Sequence, residues 1–441
     1  MPLLKKLFWA YFLLLIFEGA LRKWIVPQLS APLLLVRDPI ALLILVEAFR
    51  TGKWPQKWAG IIGLLTIFFL LLAAAQIIAF GNPGIAAFYG LRSYLLPFPV
   101  AFVMGENLTA DDLRRFGRAT LWILLPMTAL EVAQYRAPIH SFLNKGAYEG
   151  GGQIYYTSAH VRASGTFSFV AGPTSYVPLA AAFILYGLLD DRFSKKWLLW
   201  TATAATILSI PVIGARTVVF ELVAVVACLG LAAILGASQV TRVFSIAAPV
   251  VAVFVLVSFL PVFSNAVLSF RARFAEADSL EGGSVARAIA HRAIIPLEYQ
   301  LETTDFTSHP LGVGMGMGAA AITKLMNGTV TFVAGEGEMG RVLTELGPIG
   351  GSAFMLFRLV LALTLLLQSL AAARRQQPLA LFLAPLTFMG LLFSVCEQPT
   401  EQGFIVISVA FTLAALNLAK PLEAPPPRLP RPPRYSAQPV A

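Results

Sequence analysis

Apolar runs of about twenty residues follow one another along this chain, and its polar residues collect in the gaps between them. Twelve such runs fall near 7–26, 31–49, 59–80, 84–105, 117–135, 172–189, 197–213, 217–236, 241–263, 347–370, 379–395 and 403–418. Each approaches the roughly 20 residues that a helix needs to cross a ~30 Å hydrocarbon core. The second, fourth and seventh are short or interrupted by Pro or Arg. The pattern predicts an all-α polytopic membrane protein of about twelve transmembrane helices with two long outer, periplasmic loops, the second partly helical. Its expected organisation is 1–135 for helices 1–5, 136–171 for the first loop, 172–263 for helices 6–9, 264–346 for the large loop and 347–420 for helices 10–12. The tail 421–441 carries Pro425-Pro-Pro427 and Pro432-Pro433, which forbid a helix and predict a disordered cytoplasmic end.

Composition agrees with this reading. Hydrophobic residues make up 57% of the 441 and charged ones only 13%, too little polar surface to cover a water-soluble globule. Orientation follows from Lys and Arg, which stay cytoplasmic when they lie in short loops. With the N-terminus inside, more than half of the 33 basic residues fall on cytoplasmic segments, among them Lys5, Lys6, Arg50, Lys53, Arg114, Arg115, Lys195, Lys196, Arg374 and Arg375. Short outer loops hold only Arg22, Lys23 and Arg216, so both termini are predicted inside. The net charge of +10 expresses this bias and does not indicate nucleic-acid binding. Glu18 interrupts the first apolar run and no small-residue cleavage site follows, which favours a retained helix over a signal peptide. Cys228 and Cys396 both fall inside predicted spans and read as small core residues.

Charges within the spans need explaining, because an unpaired one at bilayer depth costs at least about 2.5 to 3.5 kcal/mol by insertion scales. Glu18 and Arg22 are four apart on one helix face and Arg37-Asp38 interrupts the second run, so intramembrane pairing accounts for this group. Arg92 and Arg216 have no acid nearby in sequence. Arg216 sits at the outer end of its span, where it either meets an anionic ligand or snorkels to the interface.

The candidate chemistry lies on the outer loops. Arg162-Ala-Ser-Gly-Thr-Phe-Ser-Phe169 offers a guanidinium fork and small residues whose N–H groups could approach a phosphate, although an ordinary Gly/Ser-rich loop has the same composition. A helix capped by Ser284 places Arg287 and His291 on one face, as a ridge for a lipid diphosphate or as an amphipathic helix on the membrane surface. Gly312, Gly314, Gly316 and Gly318 do not form a nucleotide loop, because no strand precedes them and no GKS/T follows; they suit irregular backbone lining a cavity. Glu336, Glu338, Arg341 and Glu345 supply acids and a cation in one segment, and the last three also have the spacing of a helix-surface ion-pair row. All four histidines, His140, His160, His291 and His309, fall on these loops without metal-ligand spacing.

Taken in order, Arg162-x-x-Gly165-Thr-Phe, Gly-Ala-Arg216-Thr, Arg287, His309-Pro-Leu-Gly-x-Gly314 and Glu345-x-Gly347-x-x-Gly350 resemble the O-antigen polymerase and O-antigen ligase superfamily of bacterial envelope glycosyltransferases. The resemblance implies a multi-pass protein of the inner membrane that transfers glycan from an undecaprenyl diphosphate carrier, with no cofactor and no metal. Its partners would be the lipid-linked oligosaccharide, membrane lipid and further assembly proteins such as a flippase and a chain-length regulator. Carried onto this chain, it makes Arg162, Arg216 and Arg287, with Arg341 and His291, the diphosphate-binding set. Glu336, Glu338 or His309 would be the base. Ligases carry a His about nine residues before Glu-x-Gly, where this chain has Glu336, so the resemblance leans toward a repeat-unit polymerase. A transporter or flippase of lipid-linked sugars is the rival, since twelve spans and intramembrane Arg also suit anion passage; no internal repeat supports it.

Overall fold

The computed structural model describes residues 2–147, 160–236, 240–281, 309–319 and 337–418, together with Glu298, Glu302, Phe306, Thr307 and Ile322. Among these residues every regular element is a helix. The order is α1 (Leu3–Ala20), α2 (Arg37–Arg50), α3 (Ala59–Phe80), α4 (Gly84–Tyr94), α5 (Pro97–Asn107), α6 (Ala110–Arg136), α7 (Ala171–Leu189), α8 (Lys196–Ile213), α9 (Arg216–Ile234), α10 (Val240–Ser258), α11 (Pro261–Glu281), α12 (Glu338–Arg374), α13 (Leu379–Phe393) and α14 (Pro399–Leu418). Eight helical stretches are long and apolar enough to cross a membrane, or nine if the bent pair Pro249–Ser258 and Pro261–Ala272 counts as one. Each of the twelve apolar runs coincides with helix, but α1 carries Lys5, Lys6 and Glu18 in its 18 residues, and α2 and α13 are 14 and 15 residues long.

Burial divides the helices into a centre and a rim. Nearly every residue of α14 from Gln402 to Leu416 is buried, as expected for a helix apolar all round and enclosed by others. It packs on α5, α7, α12 and α13, with α6 and α1 beyond. The apolar face of α3, by contrast, is left open at Leu64, Leu71 and Ile78, the surface a lipid-facing helix presents. Phe12 meets Phe116 and Phe183 meets Phe411 edge to face, and Phe116 and Phe411 meet at a tilt, where α1, α6, α7 and α14 come together.

Two boundaries differ from the sequence expectation. Helix runs on through position 264, because Pro261 starts α11 as a first-turn proline and the chain turns 90° there instead of leaving the helical layer. At the other end of the large loop, α12 begins at Glu338, nine residues before the expected span. Gly347 (φ 76°, ψ 170°) breaks this helix and Pro348 restarts it, so the polar first segment lies against the bundle at an angle to the apolar remainder. A Cβ at Gly347 would come within 2.4 Å of the Pro310 carbonyl oxygen.

Candidate functional site at one end of the bundle

The C-terminal ends of α1, α3, α6, α8 and α13 and the N-terminal ends of α2, α4, α7, α9, α12 and α14 are the ends that an N-inside topology puts on the same outer side. Most of the buried charge sits there, in two knots.

The first knot joins α1, α2 and α4. Glu18 pairs with Arg37 at 2.9 Å and with Arg22 at 3.5 Å, and Asp38 accepts from Arg92 Nε at 2.5 Å. Lys23, on the π-helical turn that ends α1, donates to Ser164 Oγ at 3.0 Å and to the Gly165 carbonyl at 2.7 Å. Arg22, Lys23, Arg37 and Arg92 are all at most 7% exposed, against two carboxylates, Glu18 and Asp38. The knot therefore sets three buried guanidinium groups and the Lys23 amine around two carboxylates. The Nη1 atoms of Arg37 and Arg92 are sealed from solvent and have no hydrogen-bond partner among the described residues.

The second knot joins α12 to the α13–α14 link. Glu338 accepts from Arg341 at 2.8 Å, from Arg358 at closer range and from the Cys396 backbone N–H at 3.3 Å. Arg341 also donates to Glu397 at 2.8 Å and lies 5.4 Å over the Tyr94 ring. Arg358, fully buried, donates to the Ser394 carbonyl at 2.9 Å. Burial pushes the Glu397 carboxyl, in the link between the helices, up to about 7 even though Arg341 pulls it the other way.

Glu345 is the anion of the glycine run. Its carboxylate accepts from the Gly316 and Gly318 backbone N–H groups at 2.8 and 2.9 Å and from Tyr94 at 2.8 Å. Positive φ at Gly312, Gly314 and Gly316, alternating with Val313 and Met315, turns successive N–H groups inward as a nest. Only glycine fits at 316, where a Cβ would lie 2.2 Å from the Ala86 carbonyl oxygen. Gln76 closes the arrangement, donating to the Leu311 and Glu345 carbonyls and accepting from the Met315 N–H. What looked like a loop around a cavity is packed around a carboxylate of its own chain. Glu338, Arg341 and Glu345 likewise form a row in the interior and not on a helix surface, each at most 4% exposed.

The two knots meet at the start of α14. Arg37 donates to the Pro399 carbonyl, and Gln402 donates to the Arg92 and Ser93 carbonyls at 3.4 and 3.2 Å. Arg92 serves the first knot and Tyr94, two residues on, serves the second.

The residues around Arg162 are also engaged internally. Gly165 N–H donates to Gln134 at 2.8 Å, Thr166 to the Ile16 carbonyl at 2.6 Å, and Arg22 to Ser168 at 2.9 Å. This segment plugs the junction of α1 and α6, so its backbone is not the open phosphate cradle its composition allowed. Arg162 itself reaches the Ile213 carbonyl at 3.4 Å, three residues before Arg216, and both arginines are half-buried. Arg216 opens α9 at the same end. His309 packs against Phe80 at 5.8 Å, His160 stacks on Tyr135 at 4.3 Å and His140 is exposed. Glu336, Arg287 and His291 lie outside the described residues.

Sequence reasoning missed Arg358, Glu397, Tyr94 and Gln76. Arg358 and Gln76 were visible as polar residues inside apolar runs, which is the signal for a buried partner. Among the described residues no group of three or more His, Cys, Asp or Glu is placed to hold a metal ion. Compared with known proteins, the chain matches no family model and no curated relative.

Proposed function

We propose that this protein polymerises undecaprenyl diphosphate-linked oligosaccharide repeat units at the periplasmic face of the bacterial inner membrane, crossing it twelve times with both termini in the cytoplasm. The observation that carries the reading is the first knot: three buried arginines and the Lys23 amine around two carboxylates, at the end of the bundle where Arg162 and Arg216 also lie. A surplus of buried positive charge is costly unless an anion completes it, and a lipid diphosphate arriving at headgroup depth has that charge.

In the proposed reaction the acceptor hydroxyl oxygen forms a bond to the anomeric carbon of the donor while the bond to the diphosphate oxygen breaks. The hydroxyl proton passes to a base, and the diphosphate leaves with its new charge held by guanidinium groups. Arg162, Arg216 and Arg287 keep the diphosphate role that the resemblance implies, joined by Arg92 and Arg37. For the base we favour Glu336 or His309. Glu338 accepts from two arginines, an arrangement that holds a carboxylate ionised and occupied, so we assign it and Arg341 to positioning the start of α12. His291 stays with Arg287 on the lipid-binding ridge.

The test is the size distribution of lipid-linked glycan in a strain lacking the protein, complemented with wild type, Arg92→Ala or Arg216→Ala at matched membrane levels. Single repeat units in the null strain and both variants, against ladders in wild type, are the expected result. Ladders in the null strain would remove the polymerase reading and leave transport of lipid-linked sugars as the leading account. Normal ladders in both variants would remove the diphosphate assignment.

A further inference from the structure

A small cleft opens between α7, α9, α13 and α14, four helices that pack on one another. Ser175, Glu221, Ser394 and Ser408 supply its polar lining, and Leu179, Leu386 and Phe404 its apolar walls. It has room for about one water molecule. Neither the glycan-transfer reading nor the two knots use it.

Glu221 is the residue that needs accounting for. Only 8% of it is exposed, yet it makes no hydrogen bond or ion pair with any described residue, and it lines the cleft. The other acids of the bundle are held differently. Glu131 accepts from Ser209 at 2.7 Å, Glu401 from the Val395 N–H at 2.6 Å, and Glu345 from the glycine nest. Arg341 and Arg358 are taken up by Glu338 and Glu397.

The surroundings of the carboxylate are hydroxyl oxygens. Ser408 spends its proton on the Ile405 carbonyl at 3.2 Å, which leaves its lone pairs toward the cleft. One layer deeper, Thr387 and Thr412 bond each other at 2.8 Å and Thr387 contacts the Ser408 carbonyl, so nearby polar groups are satisfied among themselves. A carboxylate with several neutral oxygens around a water-sized space is the donor set of a hard monovalent cation.

We propose that Glu221, Ser175, Ser394 and Ser408 form a sodium-binding site whose ion joins α9 to α7, α13 and α14. The site goes beyond the glycan-transfer reading and stands whether or not that reading holds. Sodium supplies the missing counter-charge and is about the size of the space. Its occupancy ties the helix that Arg216 opens to the helix whose first turn joins the two knots.

The experiment is thermal unfolding of the purified full-length protein in detergent, in sodium chloride against choline chloride at equal ionic strength. Wild type is expected to show a saturable rise in Tm with sodium, and Glu221→Gln none. The double variant Ser394→Ala with Ser408→Ala should move the sodium midpoint about tenfold higher at an unchanged Tm in choline, and it serves as the test if Glu221→Gln does not fold. The proposal is overturned if wild type unfolds alike in both salts, or if the variants respond to sodium as wild type does. It also falls if the infrared difference between wild type and Glu221→Gln in sodium shows a protonated carboxyl, because the counter-charge is then a proton.

Discussion

The two knots at one end of the bundle are built from the same residue types and are left in opposite states. Around Glu338, Arg341, Arg358 and Glu345, acids match or exceed cations, and backbone N–H groups from the glycine nest complete the carboxylate that arginine reaches only at 3.9 Å. Around Glu18, Arg22, Arg37, Asp38 and Arg92, guanidinium groups outnumber carboxylates, and the Nη1 atoms of Arg37 and Arg92 have no hydrogen-bond partner among the described residues. Of the second knot's side-chain atoms the Arg341 Nε is left without a partner among the described residues, and a network otherwise satisfied is rigid, because each member loses several bonds if it moves. One with surplus charge is poised for a ligand of the opposite sign. The contrast teaches where to look for function: the segment with more ionisable residues in its sequence is the lock, and the proposed diphosphate site belongs beside the quieter cluster near the N-terminus.

The largest effect expected from breaking this comparison is on the lock. Replacing Arg358 by Ala strands Glu338 with half its countercharge in the bundle interior and removes a donor to the Ser394 carbonyl. Breaking a buried pair in this way costs on the order of 3–5 kcal/mol. Little Arg358→Ala protein should therefore reach the membrane, and what does should unfold at a clearly lower temperature. A variant as stable as wild type would mean that the second knot is not the rigid half.

The next effect sharpens the other side. Arg92→Lys keeps the charge and loses the planar fork, so pairing with Asp38 survives while two-pronged binding of a diphosphate does not. Thermal stability should fall by less than in Arg358→Ala, because the pair with Asp38 retains its charge. Polymer formation should fall by roughly 100-fold, the low end of what one lost charge-stabilising donor costs. Equal losses of stability and activity would make Arg92 another part of the lock.

The fold was legible in the sequence wherever burial and hydrophobicity agree. Every apolar run is helical, and the pairing of Glu18 with Arg22 follows from four-residue spacing on one face. The boundaries of the large loop were not legible, because the first turns of α12 are polar and nonetheless buried, and hydropathy cannot tell a charged loop from a charged helix whose partners lie elsewhere. Those partners are remote: Asp38 is 54 residues from Arg92, and Tyr94 is 251 from Glu345. The glycine run failed for a related reason. Its spacing announces an anion but not whose, and here the anion is a side chain of the same protein. Arg162 and Arg216 stand at one end of the bundle, and that Arg162 reaches the Ile213 carbonyl beside the start of the Arg216 helix needed the fold.

The smallest expected effect is a pH dependence at the margin of the lock. Glu397 has an ordinary carboxyl value of 4.5 that burial raises to about 7, Arg341 opposing the shift. Between those values the folded protein holds a proton that the unfolded chain has released, so stability falls as pH rises from about 4.5 to about 7 and is level above that. The groups facing Glu397 are Arg341, Glu345 and Glu338, and the two glutamates repel its ionised form. Wild type should thus gain thermal stability on acidification from pH 7.5 to 6, and Glu397→Gln, which cannot ionise, should gain less. The gain should be modest, because the proton that relieves the repulsion also weakens the 2.8 Å contact with Arg341. If the variant follows the same curve as wild type, the sensitivity belongs elsewhere in the bundle, and Glu397 stays ionised and paired as firmly as Glu338. The second knot would then be fully charged at neutral pH, and its contrast with the first would rest on the balance of acids and arginines alone.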